Sequence, residues 1–211
     1  IEGLQKVDVI YRRIDDDYLD PEVGNPFSVI GVKGLIRAWK SKNVAIVNAP
    51  GCGIADDKAV YSFVPEMINF FLKEKPILPN IKTFMLANKN ERDYVFENIK
   101  KMVTKPVAES GGYGISIGKN LNEKEILKLK RLVMKDPKNY VAQPLIDLST
   151  SPTFRRDSLF PRHLDLRPFI LSGKQTYVTV GGLTRVALKR GSTVVNSSQG
   201  GGSKDTWIVD A

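Results

Sequence analysis

The final third of the chain leaves little choice of architecture. Four strand-like runs, "LDLRPFILSG", "KQTYVTVGGL", "RVALKRG" and "STVVNSS", follow one another between Leu164 and Ser198. Only "SGK", "GGLT" and "RGS" mark the turns. Connections that short return the chain beside itself, so the segment is expected as an antiparallel meander. Alternation along a strand then puts Asp165 and Arg167 on one face, with Asn196 at the end of a later strand of the same meander. Two serines, Gln199 and three consecutive glycines, Gly200 to Gly202, come next. Ordering glycine is entropically costly and packs nothing, so this stretch is expected to serve where bare backbone is needed.

The first eighty residues follow another pattern. "VDVIYRR" (7–13) reads as a strand, "VKGLIRAWKSK" (32–42) as a helix and "NVAIVN" (43–48) as a short buried strand. A Gly/Pro loop, "APGCGIADD", precedes a helical stretch from Lys58 to Lys73, with Pro65 as a kink or restart. Alternating strand and helix suggests parallel α/β structure. "PILPNIKT" (76–83) is the best linker candidate. Beyond it, "ERDYVFENIKKM" (91–102) reads as a helix and "VTKPV" (103–107) as a strand. The glycine-rich "AESGGYGISIG" (108–118) then turns into a second strand. A basic helix follows, with a capping box at Asn122 and Glu125 and an apolar stripe of Ile126, Leu129, Leu132 and Val133. "YVAQPLI" (140–146) is a further strand. The fold class is therefore α/β shading into α+β, in three parts: 1–82, 83–146 and 147–211.

The net charge of +9 favours an anionic partner without choosing among nucleotide, nucleic acid and membrane. The basic segment from Lys119 to Lys138 reads as a solvated helix face. One cysteine, Cys52, excludes an internal disulfide framework and suits a reducing compartment. No apolar run approaches the roughly 20 residues of a membrane span, and the N-terminus lacks both a signal-peptide layout and an initiator Met. Both ends are expected to be cut from a longer chain. No aromatic-studded RNA-binding strand, helix-turn-helix or zinc spacing supports a nucleic-acid module, which stays the weakest alternative.

The glycine loop matches neither common phosphate fingerprint. Against G-x-x-x-x-G-K-[ST], Tyr113 stands where the first glycine belongs and Asn120 where Ser or Thr belongs; against G-x-G-x-x-G, Ile117 is wrong. The loop also opens a strand rather than a helix. A flexible β-turn beside Lys105 remains, able to close over phosphates with its amides and a point charge. Asp165 and Asn196 are oxygen donors of the kind Mg²⁺ takes.

These residues, in this order, resemble the ATP-grasp enzymes. The pattern runs from "ADDK" through "TKPVAESGGYG", "VAQPLI" and "DLR" to "VNSSQGGG". The continuous text is similar to the circularly permuted, glutathionylspermidine synthetase-like group, over nearly the whole chain. The resemblance implies an α/β N-terminal part, a small lid subdomain and an antiparallel β-rich core. It implies an ATP-dependent carboxylate–amine ligase working through an acylphosphate, with ATP and Mg²⁺ as cofactors and a cytoplasmic location. A carboxylate and an amine acceptor are the expected partners, with neither nucleic acid nor membrane. By resemblance, Lys58 and Lys105 hold ATP phosphates, Gly111, Gly112, Tyr113 and Gly114 form the flap, and Gln143 and Leu145 line the adenine pocket. Asp165 and Asn196 ligate Mg²⁺, and Arg167 and Arg185 steady the transferred phosphoryl. Ser198, Gly200 and Gly201 offer a hydroxyl and unshielded amides to the carboxylate or its acylphosphate. One departure is plain: many ATP-grasp proteins carry Glu two residues before the metal-binding Asn, and Val194 stands there. That leaves a nucleotide-binding pseudo-enzyme as the alternative. His163, the only histidine, is expected as a supporting residue and Cys52 as a small loop hydrophobe.

Overall fold

A computed structural model describes residues 3–108, 114–155, 157–196 and 200–209. The chain divides into two compact units, 1–85 and 86–211.

The first unit opens with β1 (Val9–Tyr11), α1 (Asp16–Leu19), α2 (Leu35–Lys40) and β2 (Ala45–Val47). β1 and β2 pair in parallel, Val9 opposite Ala45, as the strand–helix alternation predicts. Only Ile46 of β2 is buried, so the expectation of a fully buried strand is corrected: both neighbours face solvent. Leu19, Leu35, Ile36 and Ile46 form the core, with Ile10, Ile14, Trp39 and Val44 packed against it. Asp20, 1% exposed, organises the entry to α2 by accepting from the backbone N–H groups of Glu22, Gly34 and Ile36 at 2.9, 3.1 and 2.9 Å. Burial alone pushes its carboxyl up, but the three N–H donors and the Arg37 charge outweigh that and hold it below its usual range. A depressed folded pKa gives stability that is present above the unfolded value and lost as pH falls through the folded one. This corner therefore loosens only under strong acid.

The loop after β2 is fastened by Arg12, a 7% exposed guanidinium. It donates to the carbonyls of Ile14 (2.7 Å), Ala49 (2.9 Å) and Asn48 and pairs with Asp16 at 2.6 Å. The loop delivers the chain to α3 (Lys58–Met67), whose N-cap Asp57 accepts from Ala59 and Val60. α3 runs through Pro65 without restarting and continues into a π-turn over Ile68–Leu72. Proline cannot donate to the carbonyl four residues back, here Tyr61; Asn80 Nδ2 donates to that carbonyl instead, at 3.1 Å. The proline-bearing connector is thus tied to the helix that its own composition would not predict it to touch. β3 (Phe84–Met85) ends the unit.

The second unit starts with α4 (Lys89–Glu97), capped by Asn88. A small antiparallel sheet follows: β4 (Met102–Pro106) is central, with β5 (Ser116–Ile117) on one side and β6 (Tyr140–Pro144) on the other. The glycine turn therefore joins two adjacent strands, as expected. α5 (Glu123–Lys135) carries both arms of the capping box. Ile126, Leu129 and Val133 are buried, but Leu132 is 48% exposed and does not belong to the stripe.

The meander is also present, with its strands redrawn. β7 (Thr150–Arg155), β8 (Ser158–Ser172), β9 (Thr176–Val186) and β10 (Gly202–Lys204) pair antiparallel in the order β10-β9-β8-β7. β7 and the first half of β8 escape a sequence reading because Pro152 and Pro161 discourage strands. The two prolines face each other, and a single non-hydrogen-bonded pair asks neither for an N–H. Two expected strands dissolve: "RVALKRG" contributes only its first two residues to β9, and 192–196 form no ladder. There, Val194 N–H goes to Ser192 Oγ and Gly201 N–H to the Asn196 carbonyl, so these backbone donors are not spent on a strand ladder. β10 takes the edge place instead. Among the described residues, no helix is long and apolar enough to cross a membrane.

Candidate functional site

In the second unit, antiparallel register places Lys105 opposite Val141 and Val103 opposite Gln143, on one face of the small sheet. Lys105 Nζ donates to Gln143 Oε1 at 2.7 Å. The two residues expected at phosphate and adenine therefore meet each other. Gln143, 9% exposed, acts as a fixed acceptor that aims the ammonium. Leu145 lies just past β6, and its N–H donates to the Lys101 carbonyl at 2.8 Å. That amide is spent inside the fold. Gly114, at φ +68°, ends the described side of the flap; an added Cβ would lie 2.6 Å from Pro106 Cγ. Gly114 thus lies close against the strand that carries Lys105. Gly111, Gly112 and Tyr113 lie outside the described residues.

The large sheet assembles the second cluster. Asp165 on β8 stands in register with Arg185 on β9. Asp165 Oδ2 accepts from Arg167 Nε at 3.2 Å and Nη2 at 3.0 Å, the same-face contact that strand alternation predicts. Arg185 Nη1 donates to Asn196 Oδ1. Two hydrogen-bonded pairs, Asp165–Arg167 and Arg185–Asn196, are therefore brought side by side by the β8–β9 register. Asp165 Oδ1 and Arg185 Nε are shielded from solvent, with no hydrogen-bond partner among the described residues. His163, one alternation upstream of Asp165, has Nδ1 2.7 Å from the Leu148 carbonyl. A carbonyl only accepts, so Nδ1 carries the proton; the residue supports the strand end, as expected.

The triglycine has a structural reason at its centre. An added Cβ on Gly201 would sit 2.2 Å from the Val195 carbonyl oxygen and 2.8 Å from that of Asn196. Its N–H donates to the Asn196 carbonyl at 2.9 Å, so this amide points back into the turn rather than outward. Gly200, at φ +83°, has open space around it and keeps the expected bare surface. Ser198 lies outside the described residues. Gly201→Ala should therefore lower the melting temperature well beyond Gly200→Ala, whose cost is backbone strain of order 1 kcal/mol. Thermal denaturation of both variants checks this, and equal shifts would contradict the close approach.

Lys58 belongs to the first unit and is the first residue of α3, directly after its N-cap. Its position follows from Arg12 and Asp57 locking the loop before it, a support that the sequence signalled only as a loop. Lys204 was also missed: from edge strand β10 its Nζ reaches Pro152 O, Ser151 Oγ (3.3 Å) and Thr153 Oγ1 (3.4 Å) on β7. It pairs opposite Thr184, while Ser203 pairs opposite Arg185. Lys204 thus faces away from the Asp165 cluster and ties the sheet together.

Whether this cluster suits Mg²⁺ can be judged from its donors. No group of three or more His, Cys, Asp or Glu residues is gathered for a metal among the described residues. A hard ion that keeps waters and nucleotide phosphates needs only one or two protein oxygens, and Asp165 Oδ1 is an acceptor with no partner among the described residues. Val194 offers no oxygen in its side chain. The residues fit one cation shared with phosphate oxygens better than an all-protein cage.

The chain matches the family model described as circularly permuted ATP-grasp type 2 over residues 1–187. It is 50% identical over 209 residues to an uncharacterized protein of Synechocystis sp., covering 99% of this chain and 44% of that protein. It is 49% identical over 209 residues to an uncharacterized protein of Mycobacterium tuberculosis, covering 99% and 38% respectively. A Frankia alni protein named "Putative glutamate--cysteine ligase 2-3" is 40% identical over 204 residues, covering 97% of this chain and 24% of its own length. The chain spans less than half the length of these relatives.

Proposed function

The chain belongs to the circularly permuted ATP-grasp type 2 family, and from that premise we propose that the protein it represents is an ATP-dependent carboxylate–amine ligase. The observation that carries the reading is the convergence of Asp165, Arg167, Arg185 and Asn196 on one patch of the β8–β9 sheet. The Frankia relative's name, a glutamate–cysteine ligase, is of the same reaction class.

The chemistry asks mainly for positioning and charge neutralisation. Lys105, aimed by Gln143, holds phosphate oxygens of ATP, with the glycine-rich segment before Gly114 serving as the flap. A substrate carboxylate oxygen attacks the γ-phosphorus, and the bond to the ADP oxygen breaks. Arg167 and Arg185 balance charge on the transferred phosphoryl. The amine then attacks the acyl carbon; phosphate leaves with the former carboxylate oxygen, and the amine loses a proton. Mg²⁺, held by Asp165 and Asn196 with phosphate oxygens, would supply further charge neutralisation. The 1–82, 83–146 and 147–211 parts would correspond to a leading α/β portion, the lid and the core.

Val194 favours a second reading, a protein that binds nucleotide without turning it over, because it removes a carboxylate from the usual place. ADP release by the intact protein, screened against amino acids, short peptides and polyamines, separates the two. Release that depends on both a carboxylate and an amine supports the ligase. Nucleotide-induced thermal stabilisation without ADP release supports the second reading.

A further inference from the structure

Each side chain expected to ligate a cation is already engaged by an arginine. Asp165 Oδ2 takes two N–H groups of Arg167, and Asn196 Oδ1 takes one from Arg185. Both engagements are incomplete: Asp165 Oδ1 and Arg185 Nε are shielded and have no partner among the described residues. A buried acceptor and a buried donor left bare are costly, and both become satisfied if a further cation and a further anion enter together.

We propose that Arg167 and Arg185 are exchangeable counter-cations. With no triphosphate bound they hold Asp165 and Asn196. When a nucleoside triphosphate arrives they transfer to its phosphate oxygens and release the two side-chain oxygens to a divalent cation. This rests on the ligase reading of the same site. A divalent ion arriving alone must displace charge-assisted hydrogen bonds and sit beside two guanidinium groups. A triphosphate offers those groups better acceptors, since the guanidinium fork matches phosphate oxygens in pairs. Cation and nucleotide therefore bind with positive coupling, and by linkage each tightens the other by the same factor. The arginines thus keep the site from filling with metal before its nucleotide is present.

The test is Mn²⁺ titration of the intact protein, read by electron paramagnetic resonance, with and without a non-hydrolysable ATP analogue. Wild type should bind Mn²⁺ weakly alone and tightly with the analogue. Arg185→Gln and Arg167→Gln should each bind Mn²⁺ alone more tightly, with the coupling factor falling about tenfold. Arg185→Lys, which keeps the charge and a donor, should retain most of the coupling. Circular dichroism confirms that the variants fold; Arg167, with its side chain 48% exposed, is the safer of the two positions. Unchanged or weaker Mn²⁺ binding without nucleotide in both Gln variants, with wild-type coupling, overturns the inference and leaves the ligase reading standing. A wild-type protein that does not bind the analogue overturns both.

Discussion

Asp165→Asn is expected to abolish phosphoryl transfer and to weaken Mg²⁺-dependent ATP binding, while metal-free ADP binds much as before. Asp165 is the only carboxylate in the cluster that joins β8, β9 and Asn196. Asparagine keeps the shape and one oxygen but removes the fixed negative charge. It also places an N–H₂ group against either the Arg167 donors or the shielded position of Oδ1. Losing one preorganised electrostatic contact at a reacting phosphoryl typically costs ~10²–10³ in rate, and the proposed cation site loses its one carboxylate among the described residues. Asn196→Ala should act in the same direction but more mildly on binding, since a neutral oxygen is lost. A purely structural Asp165–Arg167 pair on a partly exposed strand would predict less than ~1 kcal/mol of stability and no Mg²⁺ phenotype. Mg·ATP titration at fixed ionic strength separates these outcomes.

Lys105→Ala should raise the ATP dissociation constant roughly ten- to hundredfold, the equivalent of losing one charge-assisted hydrogen bond of ~1.5–3 kcal/mol. The Gln143 contact at 2.7 Å adds a second expectation. Gln143→Leu should weaken ATP binding less than Lys105→Ala does, because it removes one acceptor that aims the ammonium without removing its charge. Calorimetry on both variants is the measurement. Unchanged ATP affinity in Lys105→Ala would remove the phosphate assignment, and a larger loss in Gln143→Leu would make Gln143 the direct contact.

Much of this was legible because the decisive signals were local. The capping box at Asn122 and Glu125, the same-face pair Asp165–Arg167 and the turn between β4 and β5 each depend on spacing of a few residues, and each is found where spacing puts it. What escaped depended on partners distant in sequence. Arg12 reads as one more basic residue until β2 brings the Asn48 and Ala49 carbonyls to it. Pro65 reads as a break until Asn80 answers the orphaned Tyr61 carbonyl. β7 hides because Pro152 and Pro161 each argue against a strand, and only their mutual pairing removes the objection. The triglycine was legible as bare backbone but not in its direction: Gly201 turns its amide back on Asn196, a close approach with no sequence signature.

In the proposed reaction a carboxylate oxygen attacks ATP at the Asp165–Arg167–Arg185–Asn196 patch. The direct measurement uses the intact protein with Mg·ATP, an amine and a carboxylate substrate labelled with ¹⁸O, followed by mass analysis of the released phosphate. The proposed ligase reaction yields ADP, an amide product and phosphate carrying one ¹⁸O, all lost in Asp165→Asn. Phosphate without label would show that water, not the carboxylate, attacks, and release of AMP with pyrophosphate would show that the α- rather than the γ-phosphorus is attacked; either result contradicts the proposed reaction.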